Sequence, residues 1–286
     1  MKDIVVMPGH TRPEMFKVWT ELVQKANGAG DLFYLFCLDY GYDARYDSLI
    51  DDFPFECGVI RMPKSNLTLG KQSQNVLNGM VCAAQNTGNL VYYVEEDIFI
   101  GVDFFYFHQE VHRQQKDIFC SVGTKANDTK YRTDGFASHY YLTKEPDYQS
   151  WGSCFKKDVI LDLIYPHFND AYLTDPTGYC VYNFPNSCIG NRFTEQDGLI
   201  KRILEIKKMI VAYPCLPFAY HAGFYGYNRQ PHIMRKSYDE KLQLLREVCF
   251  NKEKMKQYSA PFLDSIPVEL DITFTDLQQV AVEKII

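Results

Sequence analysis

The run YYVEEDIFI, Tyr92 to Ile100, ends an apolar and aromatic stretch with three carboxylates, Glu95, Glu96 and Asp97, and then turns apolar again. Side chains alternate across a strand, so Glu95 and Asp97 are expected on one side and Glu96 on the other. Two oxygen ligands two residues apart at a strand end suit a hard divalent cation, Mg²⁺ or Mn²⁺, with positions left for water and phosphate oxygens. A solvated loop after a strand is the competing reading. A second acidic pair, Glu195 and Asp197, lies in TEQDGLIKRI around a helix start, with Thr194 as the expected cap. Acids stabilise a helix N-terminus by about 0.3 to 1 kcal/mol, which accounts for one of the two and leaves the other for proton transfer. Farther along, His221 in YHAGFYGYNR has Gly223 and Gly226 close by, and Arg12 in PGHTR stands near a helix start, where the dipole disfavours a cation.

These residues need a scaffold, and the pattern of apolar residues supplies one. DIVVMP reads as a strand running into Pro8 and Gly9, and RPEMFKVWTELVQKA as a helix with Met15, Phe16, Val18, Trp19, Leu22 and Val23 at helical spacing, Thr11 at its cap and Pro13 in its first turn. LFYLFCLD and CGVIRM read as strands, TLGKQSQNVLNGMVCAAQNT as a helix packing Val76, Leu77, Met80, Val81 and Ala84, and NLVYYVEED as the next strand. Alternating strands and helices predict a doubly wound α/β fold that binds ligands at the strand C-terminal ends. Beyond residue 100 the pattern loosens. DFFYFHQEVHRQQ reads as a helix, DIFCSVGT as a strand, 125–150 as a polar loop region, KKDVILDLIY and EQDGLIKRILEIKKM as helices, and MIVAYP as a strand. A charged helix from RKSYDEKLQLL onward and a last strand and helix in VELDITFTDLQQVAVEKII end the chain.

Composition narrows the classes. With 286 residues, 46% hydrophobic and 23% charged, the chain can bury a sizeable core, and the 15% aromatic content suits strands and ring-stacking pockets. A net charge of -6 excludes a protein that coats nucleic acid, so any such contact must be local. Nine scattered Cys without a CxxC pair predict buried free thiols in a reducing compartment, and no structural zinc. The N-terminal apolar run is too short for a signal sequence, and no run approaches the roughly 20 apolar residues of a membrane span. The expected setting is the cytoplasm of a bacterial or virus-infected cell.

In their order and spacing, the N-terminal strand entering a helix at TRPEMF, the acidic triplet, WGSCFKKDVI and TEQDGLIKRI resemble the GT-A type glycosyltransferases. Glu95 stands where the DxD pattern has its first Asp. The resemblance implies a GT-A (Rossmann-like), mostly parallel central sheet flanked by helices. Residues 1–234 would form the catalytic domain, 1–100 binding the nucleotide sugar and 101–234 the acceptor, with 235–286 a C-terminal helical extension. It implies Asp97 and Glu95 with His221 as ligands of Mn²⁺ or Mg²⁺, and Asp197, with Glu195 second, as the base that deprotonates the acceptor hydroxyl. Pro8, His10 and Arg12 would line the nucleoside, Gly70 would allow close approach, Lys71 would meet the diphosphate, Asn75 the base edge and Glu96 the ribose. Trp151 and Gly152 would face donor sugar and acceptor. The implied activity is a metal-dependent, inverting hexosyl transfer from a UDP-sugar. The layout is similar to the base-J-type and phage DNA glucosyltransferases, which act on hydroxymethylated pyrimidines. DNA would then meet the basic runs KRILEIKK (201–208) and RQPHIMRK (229–236), with Tyr225 and Tyr227 to stack on a displaced base. A glycan or protein acceptor, or a nucleotidyltransferase or nucleotide-sugar binding module of similar fold, are the alternatives. PGHTRPE has one Gly where a nucleotidyltransferase wants a Gly-rich basic loop.

Overall fold

The computed structural model describes residues 1–64, 71–124, 140–144, 148–191, 193–215, 217–223, 225, 230–249, 251 and 254. The chain begins β1 (Ile4–Gly9), α1 (Pro13–Val23), β2 (Phe33–Leu38), α2 (Arg45–Asp51), β3 (Cys57–Arg61), α3 (Lys71–Asn86) and β4 (Leu90–Tyr93). It continues β5 (Ile98–Ile100), α4 (Phe104–Gln114), β6 (Ile118–Val122), β7 (Tyr140–Thr143), β8 (Ser153–Lys156) and α5 (Lys157–Val159), which runs on through a wider π-helical turn (Ile160–Ile164) and a tighter 3₁₀ turn (Tyr165–His167). After α6 (Asp170–Thr174) and α7 (Pro176–Asn183) come α8 (Gln196–Lys207), β9 (Ile210–Pro214), β10 (Ala219–His221) and α9 (Tyr238–Cys249).

Eight strands form one sheet in the order β3-β2-β1-β4-β8-β6-β9-β7. The first four run parallel, with Ile4 opposite Phe33 on one side and Val91 on the other. β8 enters antiparallel between β4 and β6, and β7 antiparallel on β9. With helices on both faces this is the expected GT-A (Rossmann-like) architecture. β10 pairs antiparallel with β5 in a separate two-stranded sheet, His221 opposite Ile98.

The period-2 alternation of the strands divides the core. Val5, Met7, Tyr92 and Val94 face one cluster with Met15, Phe16 and Trp19 of α1. Ile4, Val6, Val91 and Tyr93 face the other, with Val76, Leu77 and Met80 of α3 and Leu199, Ile200 and Ile203 of α8. Both faces of β1 and β4 are therefore buried, which is why those strands read as continuous apolar runs.

Three expectations change. Thr11 does not cap α1, since Arg12 holds the cap position and its carbonyl accepts from Met15 and Phe16 N–H. The region 125–150 contains strand β7, too short to show a period, while 125–139 and 145–147 lie outside the described residues. Of the eight cysteines seen as free thiols, Cys37, Cys120, Cys154 and Cys180 are buried but Cys188 is exposed. VELDITFTDLQQVAVEKII lies outside the described residues. Among the described residues, no helix is long and apolar enough to cross a membrane.

Candidate functional site

A cleft of about 370 Å³ opens at the C-terminal ends of β1, β2 and β4. It is lined by Pro8, His10 and Arg12 after β1, Asp39 after β2, Asn75 on α3, Glu95, Glu96 and Asp97 after β4, and His221, Gly223 and Tyr225. Parallel strands direct their C-terminal ends to one edge, so segments far apart in sequence converge there.

The strand stops at Tyr93, and Glu96 and Asp97 lie on a turn closed by Ile98 N–H to Glu95 O at 3.0 Å. Strand alternation therefore extends only as far as Glu95. Glu95 follows Tyr93 toward the α3 and α8 face, and its carboxylate accepts from the Tyr93 hydroxyl at 2.7 Å. Glu96 and Asp97 share one partner instead. The Arg12 guanidinium reaches Glu96 Oε1 at 3.0 Å and Asp97 Oδ2 at 2.7 Å. The pairing of Asp97 with Glu95 on one side, with Glu96 opposed, is thus replaced by Asp97 and Glu96 together on Arg12. Arg12 lines the cleft, and its guanidinium is engaged by these two carboxylates.

Burial pushes the Glu95 carboxyl up to about 8, helped by Asp97 and Asp197. Burial likewise lifts Glu96 to about 7 against the pull of Arg12. Burial acts on Asp97 too, but Arg12 and His221 together outweigh it and hold that carboxyl well below its usual range. The three adjacent acids thus differ in how readily they carry charge.

His221 Nε2 lies 3.4 Å from Asp97 Oδ2, at the end of β10 where the pairing with β5 brings the two segments together. Ala222 N–H donates to Asp97 O at 2.7 Å, and Trp151 stacks on the His221 ring at 5.2 Å between centroids. Gly223 is required by proximity, because a Cβ there would stand 2.5 Å from Asp97 Oδ2 and 2.6 Å from His221 Cε1. Asp97 Oδ1 is buried with no hydrogen-bond partner. A carboxylate with one oxygen unpartnered and the other near an imidazole nitrogen is a donor set that fits Mn²⁺ or Mg²⁺. Among the described residues, no three His, Cys, Asp or Glu side chains gather into a closed metal cluster. Glu95 lines the same cleft with one carboxylate oxygen turned to the Tyr93 hydroxyl.

The other carboxylate pair is divided by the start of α8. Glu195 takes the cap position with no side-chain cap bond, and it is exposed. Asp197 Oδ2 accepts from Ser150 Oγ at 3.1 Å, while its Oδ1 is sealed from solvent without a partner. Burial raises this carboxyl to about 6. Thr194 is buried and does not cap the helix, its carbonyl accepting from the Tyr172 hydroxyl at 2.9 Å. Ser73 of α3 does that work across the sheet face, its Oγ accepting from Gln196 N–H at 3.0 Å and donating to Gln196 Oε1 at 3.1 Å. Asp97 and Asp197 both act electrostatically on the Glu95 carboxyl.

Gly152 has φ +68°, a conformation that favours glycine, and its carbonyl accepts from Gly123 N–H at 2.6 Å. Asn75 lines the cleft, but its Nδ2 donates to Cys37 O at 2.9 Å, leaving only Oδ1 unmatched. Lys71 opens α3, and its side chain lies outside the described residues, as do Gly70, Gly226, Tyr227 and Arg229. Within KRILEIKK, Arg202 is buried and donates to the carbonyls of Phe193, Gly198, Ile189 and Gly190, so it ties a loop to α8. Lys207 and Lys208 remain exposed, as do Arg235 and Lys236 of the second run. Sequence reasoning passed over Asp39, although it directly follows an apolar parallel strand, the same position that marks the acidic triplet.

No family model matches the chain, and no curated protein matches it in sequence. Solved structures resemble it in fold. The S. aureus TarS 1-349 fragment in complex with UDP aligns with a TM-score of 0.50 and 10% identity, over 92% of this chain and 71% of the fragment. The mannosyltransferase PcManGT from Pyrobaculum calidifontis, in complex with GDP-Man and Mn²⁺, aligns with a TM-score of 0.43 and 11% identity, over 63% of this chain. The chain spans 52% of the mannosyltransferase and 44% of the longer TarS structure.

Proposed function

We propose that this chain is a metal-dependent, inverting glycosyltransferase that moves a hexose from a UDP-sugar to a hydroxyl acceptor in the cytoplasm. The observation that carries the reading is a single cleft joining Arg12, Glu95, Glu96, Asp97 and His221, with Asp197 beyond Glu95. Among the described lining residues Arg12 is the only guanidinium or ammonium, and it is already engaged by Glu96 and Asp97, so the cleft alone offers a diphosphate little free positive charge. Asp97 and His221 would hold a divalent cation, which would supply the positive charge needed beside the diphosphate. The UDP in the TarS complex supports uracil as the base.

In this reading Pro8, His10, Asp39 and Asn75 bound the nucleoside, and Lys71 is assigned to the diphosphate. Arg12 holds Glu96 and Asp97 in place. Glu95 and Trp151 flank the sugar. Asp197, with its carboxyl at about 6, is largely ionised near neutral pH and takes the proton from the acceptor hydroxyl. The acceptor oxygen bonds to the anomeric carbon as the carbon–oxygen bond to the diphosphate breaks, its electron pair leaving with UDP. Exposed Glu195 is the second choice for base. Residues 1–234 serve as the catalytic domain, donor half first, and 235–286 as an extension.

For the acceptor we propose a hydroxymethylated pyrimidine in DNA, met by Arg235 and Lys236, since Lys207 and Lys208 end α8 just before β9 starts, at the edge of the sheet away from the cleft. The burial of Arg202 thins that basic rim and favours a glycan or protein hydroxyl as the second reading. Mass spectrometry after incubation with a panel of sugar nucleotides separates them. A hexose mass gained on hydroxymethylated but not on unmodified DNA supports the first. A gain only on glycan or peptide acceptors supports the second, and no transfer from any donor to any acceptor refutes the transferase reading.

A further inference from the structure

One wall of the cleft is anchored by a buried charge cluster that no step above uses. Tyr225 lines the cleft with His221 and Gly223, and its hydroxyl donates to Glu14 Oε1 on α1 at 2.5 Å. The same oxygen receives Lys241 Nζ of α9 at 3.1 Å. Glu14 is wholly buried and Lys241 is 5% exposed. A carboxylate and an ammonium removed from water in this way are held only when further hydrogen bonds satisfy them. Here the further bond comes from a side chain at the rim of the cleft. His221 and Ala222 are held by the pairing of β10 with β5 and by Ala222 N–H on Asp97 O, and Tyr225 is held by Glu14, itself paired with Lys241.

We propose that Glu14 and Lys241 are positioning residues for the donor site, which makes α9 a working part of that site. Lys241 fixes Glu14, Glu14 fixes Tyr225, and the wall carrying His221 and Gly223 is set before the donor arrives. This rests on the reading of the cleft as a nucleotide-sugar site. A wall already in its bound arrangement spares the donor the ordering cost, so loosening it weakens binding without touching the base at Asp197.

Two variants isolate the effect. Tyr225→Phe removes one hydroxyl and leaves the ring and the Glu14–Lys241 pair. The double variant Glu14→Gln with Lys241→Met removes both charges, so neither is left buried alone. Calorimetry with UDP and with GDP in the presence of Mn²⁺ is expected to show Kd raised about tenfold in each variant, the loss of one hydrogen bond to a charged group. Hydrogen exchange without nucleotide is expected to show the Ala222 amide losing protection while the Val94 amide, bonded to Val6 O inside the main sheet, keeps it. A role confined to stability would lower Tm and leave Kd of the folded variant unchanged. If wild type binds nucleotide, and both variants match its Kd and its Ala222 protection, the positioning role is overturned and the donor-site reading stands. If wild type binds neither UDP nor GDP, the donor-site reading fails and this extension falls with it.

Discussion

Replacing Arg12 with Met tests the ion cluster where it is most exposed to failure. The substitution keeps much of the apolar stem and removes the guanidinium that holds Glu96 at 3.0 Å and Asp97 at 2.7 Å. The carboxylates are 7% and 5% exposed in their side chains, so they cannot recover water in exchange. Breaking a buried pair costs about 3 to 5 kcal/mol, and because Arg12 itself keeps 20% exposure the lower figure, about 3 kcal/mol, applies. For a chain of this size that is a fall in Tm of roughly 6 to 12 °C. The deficit must depend on pH with a definite sign. Arg12 stabilises the charged forms of Glu96 and Asp97, so the deficit is largest where both are ionised, at about pH 8 and above, and shrinks as acid protonates them in the variant. Thermal unfolding followed by circular dichroism across pH, with a chelator present, reads both the size and the trend. A Tm within about 2 °C of wild type at pH 8, or a deficit that grows as pH falls, would refute the reasoning.

Asp197→Asn is expected to lose transfer by about 10² to 10⁴-fold while calorimetry shows donor affinity unchanged. In wild type the base must be ionised, so kcat/KM should climb as pH rises through about 6 and then level, and a rate flat across that range would move the role elsewhere. His112 of α4 is buried with Nε2 on Cys154 O, and burial pushes it from 6.5 down to about 4. The unfolded chain therefore binds this proton first, and stability present above pH 6.5 should fall by about 3 kcal/mol as pH drops to 4. Urea unfolding should show a flatter pH dependence in His112→Gln. Gly198→Ala puts a Cβ against the Phe193 carbonyl that Arg202 also holds, so a loss of about 1 to 3 kcal/mol is expected by denaturant titration.

The sequence makes the first half of the fold easy to read because β1, β2 and β4 are buried on both faces and appear as unbroken apolar runs. α1 and α3 show their packed face at helical spacing. β5, β7, β8 and β10, three or four residues each, carry too little pattern to register, and β8 enters antiparallel from far along the chain. The acids at 95–97 were visible as a cluster, but not the turn that splits them, because a strand rule cannot tell where a strand ends. The cap of α8 was unreadable for a related reason. Thr194 is the local candidate, whereas the bond comes from Ser73, 123 residues away. Arg12 shows the same limit, since its partners lie 84 and 85 residues along the chain.

The central claim is that Asp97 and His221 hold a cation on which a sugar nucleotide is turned over. Its most direct test is the release of nucleoside diphosphate from a panel of UDP- and GDP-sugars by wild type and by Asp97→Asn, each with Mn²⁺ and with a chelator. The account predicts release from a UDP-sugar by wild type with Mn²⁺ alone, and none from a folded Asp97→Asn. Equal release by Asp97→Asn, or by wild type in the chelator, would contradict it.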